Sequence, residues 1–326
     1  MNENQIIEYR NPPKHYGLTE VDLLQEQYRM KRQKEFLEKA YIQDKITGNK
    51  IALNSLVVSA NHNANRYYGE IQNRVNTLTN LAKERNLEAI FMTITLPSEY
   101  HAKKQKSPTD KELVDNPKYN GATAKESSKV LTKMFARLRQ DRSMKSLTKE
   151  QRVYFRVSEP HKDGTPHTHI LMFVPKDCIE RIVKAFTRLF NTATNTIDTN
   201  IGNAVSYVMK YINKTLPLSK KENLSKQDEY MNAWYSKNRV TRFSSSRTLA
   251  PLQLFRLLHK RFSLLALTRI KARGELRILV EIEKEKIMEM FVGDELVYIR
   301  NENFSLNTGL FQSEKERTND SALEVA

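Results

Sequence analysis

The chain has a single cysteine, fewer acidic than basic residues and no long apolar run. Cys178 is the one cysteine, which excludes an internal disulfide and a zinc cluster built on thiolates. No apolar stretch approaches the length of a membrane span, and the first residues lack the charged start and apolar run of a secretory signal. We therefore expect a soluble, cytoplasmic protein of a reducing compartment, with no membrane partner.

Basic residues outnumber acidic ones: 54 Lys and Arg stand against 38 Asp and Glu, for a net charge of +16. Such a surplus favours a polyanionic partner, nucleic acid before a membrane surface. A basic protein without a nucleic-acid role is the alternative. At 326 residues the chain can hold one large domain or two ordinary ones.

Hydrophobic spacing predicts both helices and strands. Helical spacing covers residues 19–42, 65–85, 122–141, 203–214, 248–270 and the segment after Pro175. Strand patterns cover 89–97, 152–158 and 168–174, with two further short strands at 276–282 and 295–300. Residues 98–122 are polar and rich in lysine, which predicts a long exposed loop. The order of elements indicates an α+β fold in which helices back an antiparallel sheet.

The segment Glu159-Pro-His-Lys-Asp-Gly-Thr-Pro-His-Thr-His169 carries the strongest chemical signal. Its middle is turn-forming, so we expect a β-hairpin. Side chains alternate along a strand, which puts His167 and His169 on one face, and in a hairpin Glu159 ends the neighbouring strand within reach of the same ion. Two neutral imidazoles and a carboxylate leave coordination positions open. That set suits a catalytic divalent cation, and Mg²⁺ and Mn²⁺ are both compatible.

His161 also projects from this turn. It can replace Glu159 as a ligand or bind the phosphate of a substrate. A hairpin with a purely structural role is the alternative, since a His-x-His pair often arises by chance. The carboxylate eight residues before the pair, and the tyrosines that follow it, argue against that alternative.

Tyr207 and Tyr211 lie one turn apart on a predicted helix, about 6 Å along one face. Lys214 shares that face and Lys210 borders it. A phenol with a pKa of about 10 is a poor nucleophile at neutral pH, so we expect these lysines to favour the phenolate and balance charge on the leaving oxygen. A pair of core tyrosines is the alternative. Together with the hairpin, the pair predicts metal-assisted transfer of a DNA phosphate onto tyrosine, which yields a 5′-phosphotyrosine and a free 3′-hydroxyl.

Two basic segments are candidates for DNA contact. Between residues 230 and 247, aromatic and basic side chains are interleaved, a composition that suits stacking of unpaired bases; packing against the catalytic layer is the alternative. Its members include Trp234, Tyr235, Arg239, Arg242, Phe243 and Arg247. On the helix at 122–141, Lys129, Lys133 and Arg137 form a row at every fourth residue, which is either a solvated face or a phosphate contact.

Three motifs, in this order, resemble those of the HUH endonuclease superfamily: Phe91-Met-Thr-Ile-Thr-Leu96, the hairpin segment 159–169, and Tyr207-Val-Met-Lys-Tyr-Ile-Asn-Lys214. Within it the chain is most similar to the bacteriophage replication gene A proteins, rolling-circle initiators with two active-site tyrosines. The resemblance covers about residues 88–250 and includes Arg242-Phe-Ser-Ser-Ser-Arg247. Thr168 departs from the pattern, because a bulky hydrophobic residue usually separates the two histidines.

The resemblance implies roles for individual residues and regions. Its implied metal ligands are Glu159, His167 and His169. Its implied alternating nucleophiles are Tyr207 and Tyr211, with Lys210 and Lys214 as their electrostatic partners. The implied core is a palm-like, RRM-like HUH catalytic domain at residues 86–265. A helical N-terminal region at 1–85 would precede it, and an accessory region with a polar tail at 266–326 would follow.

The implied activity is site-specific nicking and joining of single-stranded DNA at a replication origin, which starts rolling-circle replication in the host bacterial cytoplasm. No small-molecule substrate is expected. A separate host helicase and DNA polymerase are implied, because Gly48-Asn-Lys50 lacks the upstream glycine and the following Ser or Thr of a P-loop.

The position of the tyrosines separates some of the alternatives. Mobilisation relaxases place the tyrosine before the histidine pair, and here it follows, which favours an initiator. A two-tyrosine transposase shares this motif order and stays an alternative. A non-catalytic DNA-binding protein with the same fold and a metal-dependent hydrolase that uses water are two further alternatives.

Overall fold

The computed structural model describes residues 12–107, 109–110, 112–217, 223–258 and 261–308. Its helices and antiparallel sheets confirm the predicted α+β class. Within these ranges, none of the helices combines the length and the apolar character needed to cross a bilayer. The predicted polar tail beyond residue 308 and the first eleven residues of the predicted N-terminal region lie outside the described residues.

Most of the long helices begin and end close to where hydrophobic spacing predicts them, but the helix at Lys226–Asn238 and the short ones at Leu53–Leu56 and Arg142–Lys145 have no counterpart in the prediction. In chain order they are α1 (Glu20–Lys39), α2 (Leu53–Leu56), α3 (Ala64–Glu84), α4 (Ala124–Gln140), α5 (Arg142–Lys145), α6 (Ile179–Leu189), α7 (Ala204–Thr215), α8 (Lys226–Asn238), α9 (Leu252–Leu258) and α10 (Leu264–Ala272). The predicted helix at 248–270 is two helices, α9 and α10. Ser263 starts the second by accepting a hydrogen bond from the backbone N–H of Ala266.

The strands form four antiparallel sheets within the described residues. In chain order they are β1 (Tyr41–Asp44), β2 (Lys50–Ala52), β3 (Leu87–Thr95), β4 (Lys103–Gln105), β5 (Leu113–Asp115), β6 (Val153–Pro160), β7 (Pro166–Pro175), β8 (Thr196–Asp198), β9 (Phe243–Ser245), β10 (Leu276–Glu281), β11 (Lys286–Val292), β12 (Glu295–Ile299) and β13 (Phe304–Asn307). The sheets have the orders β8-β3-β7-β6-β9, β13-β1-β2, β10-β11-β12 and β4-β5.

The central sheet, β8-β3-β7-β6-β9, lies between two helical layers. Alternate side chains point to opposite faces: Met92 and Met172 pack with α4 and α6, whereas Phe91 and Leu171 pack with α3 and α7. Because helices cover both faces, β3 and β7 are apolar at most positions rather than at every second one. The result is an α/β/α arrangement with one core on each side of the sheet.

Helix α7, which carries both tyrosines, is fixed at its start and along its buried face. The side chain of Asn203 accepts a hydrogen bond of 3.0 Å from the backbone N–H of Ser206. Val208 and Ile212 are completely buried against the central sheet. The adjacent residues Tyr207 and Tyr211 therefore lie on the flank of the helix, beside β3.

Several short strands differ from the prediction. The predicted exposed loop at 98–122 contains the hairpin of β4 and β5. Between the two predicted C-terminal strands lies a third, β11, which pairs with both. β8 and β9 are three residues long and lie at the sheet edges, where a segment is too short to show hydrophobic alternation.

Segments that are distant in the chain meet in the sheet β13-β1-β2. Tyr41 of β1 pairs with Asn307 of β13, which joins the predicted N-terminal and C-terminal regions. Helix α3, also from the predicted N-terminal region, packs on the central sheet. The division into three regions stays a prediction.

Candidate active site

Residues 159–169 form the predicted β-hairpin of β6 and β7. Glu159 pairs with His167, and Val157 pairs with His169. Since β7 also pairs with β3, Thr95 lies opposite His167 on its other side. The hairpin therefore brings the carboxylate and both imidazoles to the face of the sheet that α7 covers.

The turn of this hairpin is held by its own backbone and by two outside contacts. The N–H of His161 donates to the carbonyl of Thr165 at 2.8 Å. The Trp234 ring N–H donates to the carbonyl of Gly164 at 3.0 Å. Gly164 has a φ of +89°, and a Cβ added there would lie 2.4 Å from the carbonyl oxygen of Tyr16. This position requires glycine because both the backbone conformation and the close approach exclude a side chain.

Three candidate ligand side chains, those of Glu159, His167 and His169, converge at the end of the hairpin and form the ligand cluster. The Nε2 atoms of His167 and His169 lie 3.0 Å apart, and each lies 3.9 Å from Oε2 of Glu159. All three side chains are buried, and their candidate ligand atoms lie within 4.8 Å of one another. Adjacent ligands held at about 2.1 Å by a small octahedral cation are separated by about 3.0 Å, close to the distance between the imidazoles.

The polar atoms around this point fit a cation. Oε1 of Glu159 is buried and has no hydrogen-bond partner among the described residues. An unpaired carboxylate oxygen is costly to bury, and a bound ion would offset that cost. Donors of the type N, N and O also suit a divalent cation such as Mn²⁺ or Mg²⁺.

Burial keeps both imidazoles neutral, which leaves their lone pairs for a metal ion. Desolvation, together with the charge of Lys214 and the neighbouring His161, lowers the pKa of His169 to about 3. Desolvation also holds the pKa of His167 well below its ordinary value, and neighbouring histidines act in the same direction. Thr93 adds a partner for the ring of His169, since its Oγ1 lies 3.1 Å from Nδ1.

Glu159 pairs with a lysine from α7. The Nζ of Lys214 lies 2.5 Å from Oε2 of Glu159. Burial raises the pKa of Glu159, and the Lys214 ammonium partly opposes that shift. Lys214 is 57% exposed at its side chain, so its charge is also open to a bound substrate.

The two tyrosines of α7 differ in their surroundings. Tyr211 lies against the ligand cluster, with its ring centroid 4.0 Å from that of His169. Tyr207 is one turn earlier, 6.0 Å from Tyr211 between ring centroids, and is 38% exposed. Phe91 of β3 supports both rings from below, at 4.5 Å from Tyr207 and 5.2 Å from Tyr211.

The electrostatics of Tyr211 are opposite to those expected from its lysine neighbours. Burial, and then the contact with Tyr207 and the charge of Glu159, raise the pKa of Tyr211 to about 12. Lys214 pairs with the carboxylate instead of the phenol, and Lys210 is exposed. The expectation that these lysines lower the phenol pKa is wrong for this structure, because Lys214 forms an ion pair with the carboxylate of Glu159.

The predicted stacking platform for bases is also wrong. Trp234 is 1% exposed and lies in a hydrophobic cluster, and Tyr235 and Phe243 are buried as well. Arg242 is buried and donates to the carbonyl of Thr215 and to Oδ1 of Asn232. The alternative, packing against the rest of the protein, is correct for these aromatic residues, because their buried rings leave no free face for a base.

The other two predicted DNA contacts lie nearer the surface. Arg247 is exposed, after strand β9 at the edge of the central sheet. His161 lies beside the ligand cluster, with its ring centroid 4.1 Å from that of His167. Burial and the neighbouring His101 lower the pKa of His161 to about 4.

One residue beside the cluster, His101, escapes prediction from the sequence. Nδ1 of His101 lies 3.1 Å from Oδ2 of Asp163, and its ring centroid lies 5.2 Å from that of His161. Asp163 is visible as a turn residue, but His101 lies about 60 residues earlier in a segment predicted to be loop. No local pattern marks it, since only the folded chain brings it to the turn.

Residues 21–196 match the bacteriophage replication gene A protein (GPA) family, a span of more than half the chain. The chain belongs to this family. The gene A match includes the whole ligand hairpin and ends before α7, which carries the tyrosines.

Individual gene A relatives support the assignment. The replication gene A protein of Escherichia phage 186 is 32% identical over 205 residues, which cover 57% of this chain and 28% of that protein. A probable replication endonuclease from a prophage-like region of Salmonella paratyphi A is 32% identical over 222 residues, 60% of this chain and 26% of that protein. The replication protein of Haemophilus phage HP1 is 30% identical over 163 residues, which cover 45% of this chain and 19% of that protein.

The aligned part of this chain spans about a quarter of the length of these gene A relatives. No solved structure gave a significant match.

Proposed function

We propose that the protein is a replication endonuclease that nicks and rejoins one DNA strand and so starts rolling-circle replication of a phage or prophage element. In this proposal it is an HUH endonuclease that works through a covalent tyrosine link. The observation that supports it most is the cluster of Glu159, His167 and His169 with the Tyr211 ring 4.0 Å from His169. The names of the prophage relatives, which include replication endonucleases, agree with this activity.

Glu159, His167 and His169 would hold the cation, Mg²⁺ or Mn²⁺. When bound, it would polarise a non-bridging oxygen of the scissile phosphate. The chain's own residues prepare the site for it: burial keeps the imidazoles neutral, and Thr93 orients one of them. Lys214 would move between Glu159 and the phosphate, since its exposed ammonium can reach a strand laid over α7.

We assign the first cleavage to Tyr211, because its ring lies against that of His169, whereas Tyr207 lies one helical turn earlier. As its oxygen bonds to phosphorus, the phosphorus–O3′ bond breaks, the phenol loses its proton and the 3′-oxygen gains one. The products are a 5′-phosphotyrosine and a free 3′-hydroxyl. Bond energy is kept in the phosphotyrosine, so the reverse step rejoins the strand, and Tyr207 would make a second cleavage while Tyr211 is still linked.

The raised pKa of Tyr211 means that its phenol is protonated in the DNA-free protein at neutral pH. Activation would therefore accompany loading of the cation and DNA, because the positive charge of the cation favours the phenolate. This order limits attack on stray phosphodiesters before a strand is seated. In the cell, a host helicase and DNA polymerase would act on the freed 3′-end.

The test is covalent trapping. Single-stranded oligonucleotides that tile the DNA around the gene, labelled at the 3′-end, are incubated with the protein and Mn²⁺ and separated on a denaturing gel. We expect a labelled protein band with the wild type, a much weaker one with Tyr211→Phe, and none with the double variant that adds Tyr207→Phe. Tyr28→Phe, at an exposed tyrosine of α1, is the control and should behave as wild type.

Other outcomes would select the alternatives. Cleaved DNA without a protein-linked band in any lane would indicate hydrolysis by water. Binding without cleavage, unchanged in the double tyrosine variant, would indicate a DNA-binding protein that is not an enzyme.

A further inference from the structure

Exposed basic residues are concentrated on one of the two helical layers. In α4, α5 and α6, fourteen residues are exposed, of which nine are Lys or Arg and two are Glu. The exposed positions of α3, on the other layer, are mostly uncharged: Asn65, Gly69, Gln72, Asn76, Asn80, Lys83 and Glu84. Between the helices of these two layers, the exposed positive charge is therefore greater on the layer opposite the tyrosines, since the tyrosine layer exposes only Lys83, Lys210 and Lys214 as cations of α3 and α7.

A cleft of about 390 Å³ lies between α5 and α6 on this layer. Arg142, Arg181, Lys184 and Arg188 line it, and Asp141 is the one carboxylate among its lining residues. Asp141 pairs with Arg188 at 2.5 Å, and Lys184 pairs with Glu180 on its own helix at 2.6 Å. Arg142 and Arg181 have no carboxylate within ion-pair distance in the described part of the chain, so the cleft keeps an excess of positive charge.

A row of cations on α4 leads toward this cleft. Lys129, Lys133 and Arg137 are exposed, and none of them forms an ion pair with another described residue. Residues four apart on a helix are separated by about 6 Å, close to two 3.4 Å steps along one strand of DNA. Arg137 precedes Arg142 by five residues, so the row and the cleft follow each other along the chain.

The surface contains phosphate-binding groups but no means of stacking bases. None of its fourteen exposed residues is aromatic, and Phe135 and Phe186 of the same helices are buried. Proteins that hold single strands combine cations with exposed aromatic rings, whereas contacts to a duplex backbone need cations alone. The composition therefore favours duplex DNA over an unpaired strand.

We propose that this back surface, formed by the exposed cations of α4, α5 and α6, binds the phosphate backbone of duplex DNA without regard to sequence. The choice of DNA as the polyanion rests on the proposed function. Because α7 lies on the other face of the central sheet, duplex bound here leaves the tyrosines free to receive a single strand. The protein would thus hold the unopened duplex and the strand to be cut on opposite faces.

Salt dependence tests the proposal. Binding to a duplex of about 30 base pairs and arbitrary sequence is measured by fluorescence anisotropy between about 50 and 200 mM salt. Each phosphate contact contributes about 0.9 to the slope of log affinity against log salt, so Lys129→Gln/Lys133→Gln/Arg137→Gln should make that slope shallower by about 2.7. Arg142→Gln/Arg181→Gln should make it shallower by about 1.8.

The control removes the same charges from another surface. Lys31→Gln/Arg32→Gln/Lys39→Gln alters exposed residues of α1 and should leave the slope close to that of wild type. An equal change in the control and the back-surface variants would overturn the proposal, because net charge alone would then explain binding. Tighter binding to vesicles containing anionic lipid than to duplex, lost in the same variants, would also overturn it.

A second readout separates this proposal from the proposed function. Covalent linkage to a single-stranded oligonucleotide should be unchanged in the back-surface variants, because their residues lie away from the ligand cluster. If no variant or wild type forms the link while the duplex slopes change as expected, the nicking proposal fails and the duplex surface stands. If linkage to the single strand falls along with duplex binding, the two surfaces are not separate and the proposal fails.

Discussion

Thr93 contacts one of the candidate metal ligands, His169. Its hydroxyl lies 3.1 Å from Nδ1 of His169, whereas Nε2 of the same ring faces Glu159 and His167. When Nδ1–H donates to this hydroxyl, the proton is held on Nδ1 and the lone pair of Nε2 stays free for a cation.

Thr93→Val removes the hydroxyl and keeps the side-chain shape and the preference for a strand. We expect Mn²⁺ affinity to fall about 10–100-fold, the usual effect of losing such a partner. Isothermal titration calorimetry on DNA-free protein measures it. Thr187→Val, at an exposed threonine of α6, is the control. Unchanged affinity in Thr93→Val would mean that the hydroxyl does not orient the ring.

The pH dependence of metal binding should reflect Glu159 rather than the histidines. The pKa of His169 is lowered to about 3 and that of His167 lies well below its ordinary value. Both rings are therefore neutral at neutral and mildly acidic pH. The pKa of Glu159 is raised, so the carboxylate takes up a proton first as pH falls.

As pH falls from neutral, affinity for Mn²⁺ should therefore stay constant until Glu159 takes up a proton, and then fall. Because its pKa is raised, this happens at a pH above the ordinary pKa of a glutamate. The expected dependence is one proton per metal ion, seen as a slope of about one in log affinity against pH. Titrations over a range of pH measure it. A slope of about two, with its onset near the usual histidine pKa of about 6.5, would show instead that the rings compete with protons.

At the scale of residues, prediction from sequence succeeds where partners are near in the chain. The His-x-His spacing and the turn before it predict that Glu159, His167 and His169 meet, and the structure brings them together. Thr93 and His101 come from segments that only long-range pairing delivers. Lys214 lies on the predicted helix face, but its long flexible side chain can reach residues that are distant in the chain. In the structure it forms an ion pair with Glu159.

Among the elements, the hairpin turn depends most on a remote contact. Two backbone segments touch there: Cβ atoms added at Gly17 and Gly164 would lie 2.6 Å and 2.4 Å from the carbonyl oxygens of Asp163 and Tyr16. Both glycines have positive φ, +69° and +89°. The turn at Tyr16 and Gly17 and the turn of the hairpin therefore hold each other in place, and with them the position of the candidate metal ligands.

Gly164→Ala should disturb both stability and metal binding. A side chain at this φ and this contact costs about 1–3 kcal/mol, so the free energy of unfolding in urea should fall by that amount. Mn²⁺ affinity should fall as well, because the turn moves away from Tyr16. Gly202→Ala is the matched control, since a Cβ there meets nothing within 4 Å. Equal stability of the two variants would show that the contact carries no strain.

Length alone does not decide which elements are predictable, since α8 with 13 residues and β11 with 7 residues escape prediction. Helices α1, α3, α4 and α7 and strands β3, β6 and β7 have enough residues for their hydrophobic period to show. β8 and β9 have three residues each and are strands only because they lie beside the edges of a formed sheet. The buried Trp234 and Arg242 show the converse, since aromatic and basic residues together have the same composition in a core and in a DNA-binding surface.

For the whole molecule, we propose that the three layers separate two tasks. The layer of α3 and α7 faces the ligand cluster, and the layer of α4, α5 and α6 exposes more positive charge than the layer of α3 and α7. Composition predicts a polyanionic partner but not the side on which it binds, because charge sums carry no positions. The family match covers residues 21–196 and leaves the tyrosine helix outside, so the role of α7 needs direct evidence.

Identification of the linked residue gives that evidence most directly. The intact protein is allowed to react with a single-stranded oligonucleotide and Mn²⁺, the adduct is digested with nuclease and protease, and the peptides are sequenced by mass spectrometry. We expect a nucleotide on the Tyr211 peptide, and its loss when His169→Ala removes a ligand. A nucleotide on a residue outside α7, or an adduct that forms equally well in His169→Ala, would contradict the proposed site.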